Sequence, residues 1–175
     1  MANSELISSL KDALIQELIS DEAIFYAIDS PNITNFSDAY QLMYTHIFPF
    51  HKNPETITKT ITFITIQVHI PKTYDRNKTW VIPTLEIWII SHDDHMIVNN
   101  IPKITDNRND YISKLLDKKF NGRSTFGVSE NDKDNVHLYG KMNLVSNVEG
   151  ALNKFLYRRM IFEMKDLNDS LCDDG

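Results

Sequence analysis

ITKTITFITIQVHI, residues 57–70, is the stretch from which the fold is read. It is dense in Thr and Ile, whose branching at Cβ suits a pleated surface, and it stops at Pro71. The spacing predicts one long strand over Ile57–Ile70. Side chains alternate across a strand, so Ile64, Ile66, Val68 and Ile70 share one face, while Phe63, Thr65, Gln67 and His69 share the other. The first face is expected to meet the core and the second something more polar. Downstream, WVIPTLEIWIIS (residues 80–91) predicts a second strand, with Pro83 at an edge or near the start because proline cannot donate to a ladder. The polar residues Lys72–Lys78 between them suit a hairpin connection.

Outward from this pair, the signals turn helical. Leu6, Ile7, Leu10, Leu14, Leu18 and Ile19 recur at helical spacing after Asn3 and Ser4, which predicts an amphipathic helix over Ser4–Ser20. A short helix is expected over Asp21–Ile28, and another from Ser37 until Pro49. Asp106-Asn107 reads as a cap for a helix with Tyr111, Ile112, Leu115, Leu116 and Phe120 on one stripe, stopped by Asn121-Gly122. Arg123–Asn135 is polar and long for a connection, and is expected to be mobile or functional. Two final strands, Val136–Asn147 and Lys154–Asp166, are expected to join around Val148-Glu149-Gly150. The predicted fold class is α+β: a four-stranded antiparallel or mixed sheet with helices packed on one face, in the order α-β-β-α-β-β. One domain is expected over residues 1–167, followed by an acidic tail over 168–175.

Composition bounds the function. The 175 residues carry 24 acidic and 18 basic side chains, a formal net charge of -6, which is the wrong sign for a protein that grips duplex nucleic acid through its phosphates. No apolar run approaches the roughly 20 residues a bilayer requires, so no membrane partner is expected. The opening residues resemble no secretory signal, and the expected place of synthesis is the cytoplasm. Cys172 is the single cysteine, which excludes an internal disulfide and a multi-cysteine zinc site.

Chemical motifs are few. His92-Asp93-Asp94-His95 has the residue types of a metal cluster, but consecutive residues at a strand end are expected to diverge, so a polar turn is the better reading. Glu163-Met164-Lys165 resembles half of a metal-dependent nuclease motif without the helix and strand that would follow it. Phosphate loops, dinucleotide turns and nucleophile elbows are missing. No catalytic residue, metal or other cofactor is expected. Instead, apolar residues on both faces of residues 80–91 call for a sheet covered on both sides, whereas one helix layer covers one. A second face or an edge is therefore expected to be completed by neighbours.

Several landmarks together resemble the tail-terminator or tail-completion proteins of long-tailed bacteriophages. They are His46-Ile47-Phe48-Pro49-Phe50, then Pro54-Glu55-Thr56 before the long strand, then Asp106–Ile112 opening a helix that ends at Phe120-Asn121-Gly122, in the element order given above. The resemblance implies a non-enzymatic virion protein. Such a subunit forms a ring, expected to be a hexamer, on the last ring of tail-tube protein and faces the neck or connector, with DNA passing through an acidic lumen without specific binding. Under that reading the interface residues are expected in the two long polar connections, at Arg123, Phe126, Glu130, Asp132, Lys133 and Asp134, and at Tyr74, Asp75 and Arg76.

Overall fold

The computed structural model describes residues 3–57, 59–71 and 79–167; the expected interface residues Tyr74, Asp75 and Arg76 and the acidic tail lie outside them. Helix α1 (Asn3–Ile19) and helix α2 (Glu22–Ile28) follow the predicted apolar spacing. The Asp21 carboxylate caps α2 by accepting from the backbone N–H groups of Ala23 and Ile24. Asp29 ends it in the left-handed region at φ 55°. A 3-10 turn over Phe36–Leu42 replaces the helix expected from Ser37. Helix α3 (Arg108–Phe120) has the predicted Asn107 cap and stops at Asn121.

The class is α+β and the main sheet is mixed, one of the two arrangements expected, but it has five strands in place of four. Its order is β1-β2-β4-β8-β7, from β1 (Ile47–Phe48), β2 (Thr62–His69), β4 (Thr84–His92), β7 (Asn143–Leu152) and β8 (Phe155–Glu163). Strand β1 is parallel to β2, and all other pairs are antiparallel. A two-residue strand has no periodicity to read, which is why β1 is invisible in the sequence. Strand β3 (Trp80–Val81) is split from β4 at Pro83 and pairs with β9 (Asp166–Leu167), and β5 (Thr125–Phe126) pairs with β6 (Val136–His137).

Boundaries differ where the backbone needs a partner or a turn. The long strand begins at Thr62 and not at Ile57, because Pro54–Thr56 form a 3-10 turn and Ile57 and Ile61 fold over the sheet as cover. The last hairpin turns at Asn153-Lys154 and not at 148–150: Leu152 pairs with Phe155, and Asn153 takes φ 54°, the positive angle required at the first position of a tight hairpin turn. The expected strand Val136–Asn147 is divided between β6 and β7, with a bulge at Val145.

The helices occupy one face. Ile64, Ile66 and Val68 of β2, Leu85, Ile87 and Ile89 of β4, and Met160 and Phe162 of β8 form one core with Leu10, Leu14, Leu18, Ile112, Leu116 and Phe120. The opposite face of β2 departs from the expected polar character. Phe63 and Thr65 are fully buried there, and Phe63 joins Phe48, Ile61, Ile90 and Phe155 in a second, smaller cluster beneath the segment leading into β2.

Candidate interaction surface

That cover is partial. Register places Thr65, Trp88, Arg159 and Val148 in one row across the sheet, and Phe63, Ile90, Tyr157 and Gly150 in the next. The β2 end of each row is buried, and the β7 end is open: Val148 is 48% exposed, Gly150 half-exposed, and Leu152, one step further along the same face, 42% exposed. Between them lies an aromatic and guanidinium patch. The Trp88 and Tyr157 rings are 4.8 Å apart, the Arg159 guanidinium lies 5.4 Å from the Trp88 ring centre, and His51 packs edge-on to Trp88. Glu86 fixes the patch by accepting from Trp88 Nε1 at 2.5 Å and Arg159 Nε at 2.7 Å. Burial would raise the Glu86 carboxyl, but those two hydrogen bonds and the Arg159 charge outweigh it and hold the group below the usual glutamate range. Arg159 is raised in turn, chiefly by its hydrogen bond to Glu86. Gly150 gives Tyr157 room, since a Cβ there would lie 2.4 Å from the phenol ring. Trp, Tyr and Arg together on a half-exposed sheet face are the side chains that anchor protein interfaces.

The patch runs into the outer edge of β7, which has no neighbouring strand among the described residues. All ten of its residues are exposed or half-exposed, none is Lys, Arg or Pro, and Glu149 is its single charge.

Arg123–Asn135, by contrast, is built into the fold. Arg123 donates through both terminal nitrogens to Glu17 of α1, at 2.7 and 2.9 Å, and to the carbonyl oxygens of Lys119 and Thr125. Gly127 N also donates to Glu17 at 2.8 Å. Phe126 is fully buried beside Phe120, so it serves the core and offers nothing to a partner in this conformation. Glu130, Asp132, Lys133 and Asp134 are exposed, the last three on a 3-10 turn. Among the described residues expected at an interface, these four are exposed and Arg123 is half-exposed. The sequence missed the Trp88 patch because Trp88 and Tyr157 are adjacent only through strand pairing.

The chemical candidates separate clearly. His92, Asp93 and Asp94 do converge, contrary to the expectation of divergence, with ligand-capable atoms within 4.8 Å of one another, because a 3-10 turn curls them together. His92 Nδ1 already accepts from Asp94 N, the two carboxylates face solvent, and among the described residues no fourth His, Cys, Asp or Glu joins the group. His95 turns away to Thr62 and Asp29. Glu163 and Lys165 line a depression of about 300 Å³ in which Glu163 is the single carboxylate among the lining residues. Lys165 stacks its ammonium 4.1 Å from the Trp80 ring centre.

A buried polar chain also links the elements. Asn109 Nδ2 donates to Leu156 O, so its Oδ1 accepts from Ser91 at 2.6 Å; Ser91 then accepts from Thr62, and Thr62 from His95 Nδ1. Ser91 and Thr62 have zero exposure, so neither hydroxyl reaches a substrate. Arg108, 1% exposed, donates to the carbonyl oxygens of His95, Ala27 and Ile97 and to Asp29. Burial and the Arg108 charge lower His95, against the opposing pull of Asp29. His46 is lowered to about 4, first by burial and then by the His95 and Lys59 charges.

The sequence matches the YomW family over residues 3–164, nearly the whole chain. The chain belongs to the YomW family. YomW is a phage-type family, which agrees with a bacteriophage protein. No curated protein matches the chain. No helix among the described residues is long and apolar enough to cross a membrane.

Proposed function

We propose that this YomW-family chain is a non-enzymatic virion assembly protein that caps the phage tail tube and joins it to the neck or connector as a ring, expected to be a hexamer. The observation that carries the reading is the unfinished sheet: a Trp88-Tyr157-Arg159 patch beside the β7 edge, which along Ser146–Leu152 has no strand neighbour among the described residues. A monomer gains nothing by leaving these groups half solvated, whereas a neighbour that covers them completes the second sheet face. The net charge of -6 supports a conduit that DNA traverses without adhering, because like charges repel phosphates. The exposed turn Asp132–Asp134 and Glu130 are accessible for contacts to tube or neck.

The test is assembly. Purified protein added to growing tail-tube protein should arrest elongation and appear as a ring at tube ends in electron micrographs. Trp88→Ala combined with Arg159→Glu should abolish capping while leaving the circular dichroism spectrum unchanged. Glu163→Ala with Lys165→Ala should leave capping intact. Unarrested tubes with the unaltered chain, or nuclease activity lost in the Glu163/Lys165 variant, would refute the reading.

A further inference from the structure

We propose that the free protein is a two-fold dimer in which strand β7 pairs antiparallel with β7 of a second copy, Val148 meeting Val148 on the axis.

Three observations lead there. First, β7 lacks the devices that keep sheet edges apart. It has no lysine and no proline, no element among the described residues pairs along the outer edge of Ser146–Leu152, and its bulge at Val145 lies near one end, where Leu144 N is already taken by Asn121 Oδ1. Second, the opposite edge is short. Strand β1 is two buried residues followed by Pro49 and pairs only with Ile64 and Thr65 of β2, so it offers no stretch that matches the length of β7 in a head-to-tail addition. One long edge and one short edge favour the self-complementary pairing of β7 with β7, and such a pairing ends at two.

Third, the register follows from the hairpin and the charge. The two-residue turn makes Leu152 and Phe155 a hydrogen-bonded pair, so Gly150 and Val148 direct their backbone groups toward β8, and Asn147, Glu149 and Ala151 direct theirs outward. An axis through Glu149 would oppose two carboxylates. An axis through Val148 instead places Asn147 across from Glu149 of the second copy, twice, so outward backbone groups pair with outward ones and an amide faces a carboxylate. Val148 then faces its own symmetry mate in a pair without hydrogen bonds, where side chains approach most closely. The two-fold is perpendicular to the sheet, so both open faces lie on one side.

The dimer goes beyond the tail role and stands without it. A ring with different surfaces toward tube and neck cannot contain such a two-fold, so the pairing belongs to the unassembled protein and must open on assembly.

In a Cys172→Ser background, cysteine is introduced singly at Ser146, Asn147, Val148, Glu149 and Gly150, and the proteins are oxidised and run on non-reducing gels. The expected result is efficient cross-linking at 148 and weak cross-linking at the others, because directly opposed Cα atoms at that spacing suit a disulfide. The chain with its own residues should show by light scattering twice the monomer mass of 20.3 kDa. Val148→Lys, which opposes two ammonium groups at an exposed position, should halve that mass without changing the circular dichroism spectrum. Asn147→Pro, which removes an outward N–H and spares the β8 ladder, should do the same. A monomer at all concentrations, or a cross-linking maximum at another position, overturns the proposal. Neither outcome touches tube capping, which is read separately from tail-tube arrest.

Discussion

Arg108→Leu is expected to be among the most damaging single substitutions in the chain, although Arg108 touches no candidate surface. Its guanidinium is 1% exposed and ties the His95 turn, the end of α2 and the start of α3 together. Leucine fills much of the volume but donates nothing, so the carbonyl oxygens of His95, Ala27 and Ile97 are left without these donors, the Ala27 bond being fully buried and the other two partly so. A buried polar group without a partner costs about 1–3 kcal/mol, which puts the total near ~4 kcal/mol after allowing for water at the two partly buried groups. A domain of this size holds about 5–15 kcal/mol in all, and each kcal/mol moves the melting temperature by about 2–4 °C. Thermal unfolding followed by circular dichroism should therefore show a fall of about 10 °C. Asp29→Asn isolates the ion pair: Asp29 is 39% exposed, so its loss should cost far less than the loss of the three carbonyl bonds. If Arg108→Leu melted within about 2 °C of the unaltered chain, or if Asp29→Asn were the worse variant, the assignment of Arg108 as a carbonyl-satisfying strut would be wrong.

Burial of neutral His46 makes stability fall with acid. Its folded value, about 4, lies below the unfolded 6.5, so the unfolded chain takes the proton first; stability is complete above pH 6.5 and declines to about pH 4, by about 3 kcal/mol, with His95 adding the same sign. His46→Phe should flatten most of that slope in denaturant melts at stepped pH. Gly127→Ala should destabilise by about 1–3 kcal/mol, since Gly127 holds φ +134° and a Cβ would lie 2.3 Å from Asn135 Oδ1; urea unfolding checks it, and Gly122→Ala, with open space around its Cβ position, is the milder control. Arg159→Met should raise the Glu86 titration, observed by carbon NMR of the carboxyl, because the hydrogen bond and charge that lower it are gone while its burial remains.

The helices were legible because each depends on local signals. The apolar stripes of α1 and α3, the Asn107 cap and the Asn121-Gly122 stop lie within a few residues of the backbone groups they serve. The strands were legible as β-branched runs but not in their limits. Proline and the two-residue turn at Asn153-Lys154 divide the chain where hydrogen-bond partners change, and those partners are distant in sequence. The segment Arg123–Asn135 illustrates the same limit: its composition reads as loose, yet Glu17, more than a hundred residues away, accepts from Arg123 and Gly127 and pins it.

By itself, then, the amino-acid order determined the class, the helices, the acidic balance and the presence of more β surface than one helix layer can cover. Tertiary structure decided which part of that surface stays open. Strand pairing sets Trp88 beside Arg159 and Tyr157 while the segment before β2 shields Phe63 and Ile90, and it leaves β7 outermost. Periodicity along a chain reports which side chains share a face; which face meets water depends on what packs against it.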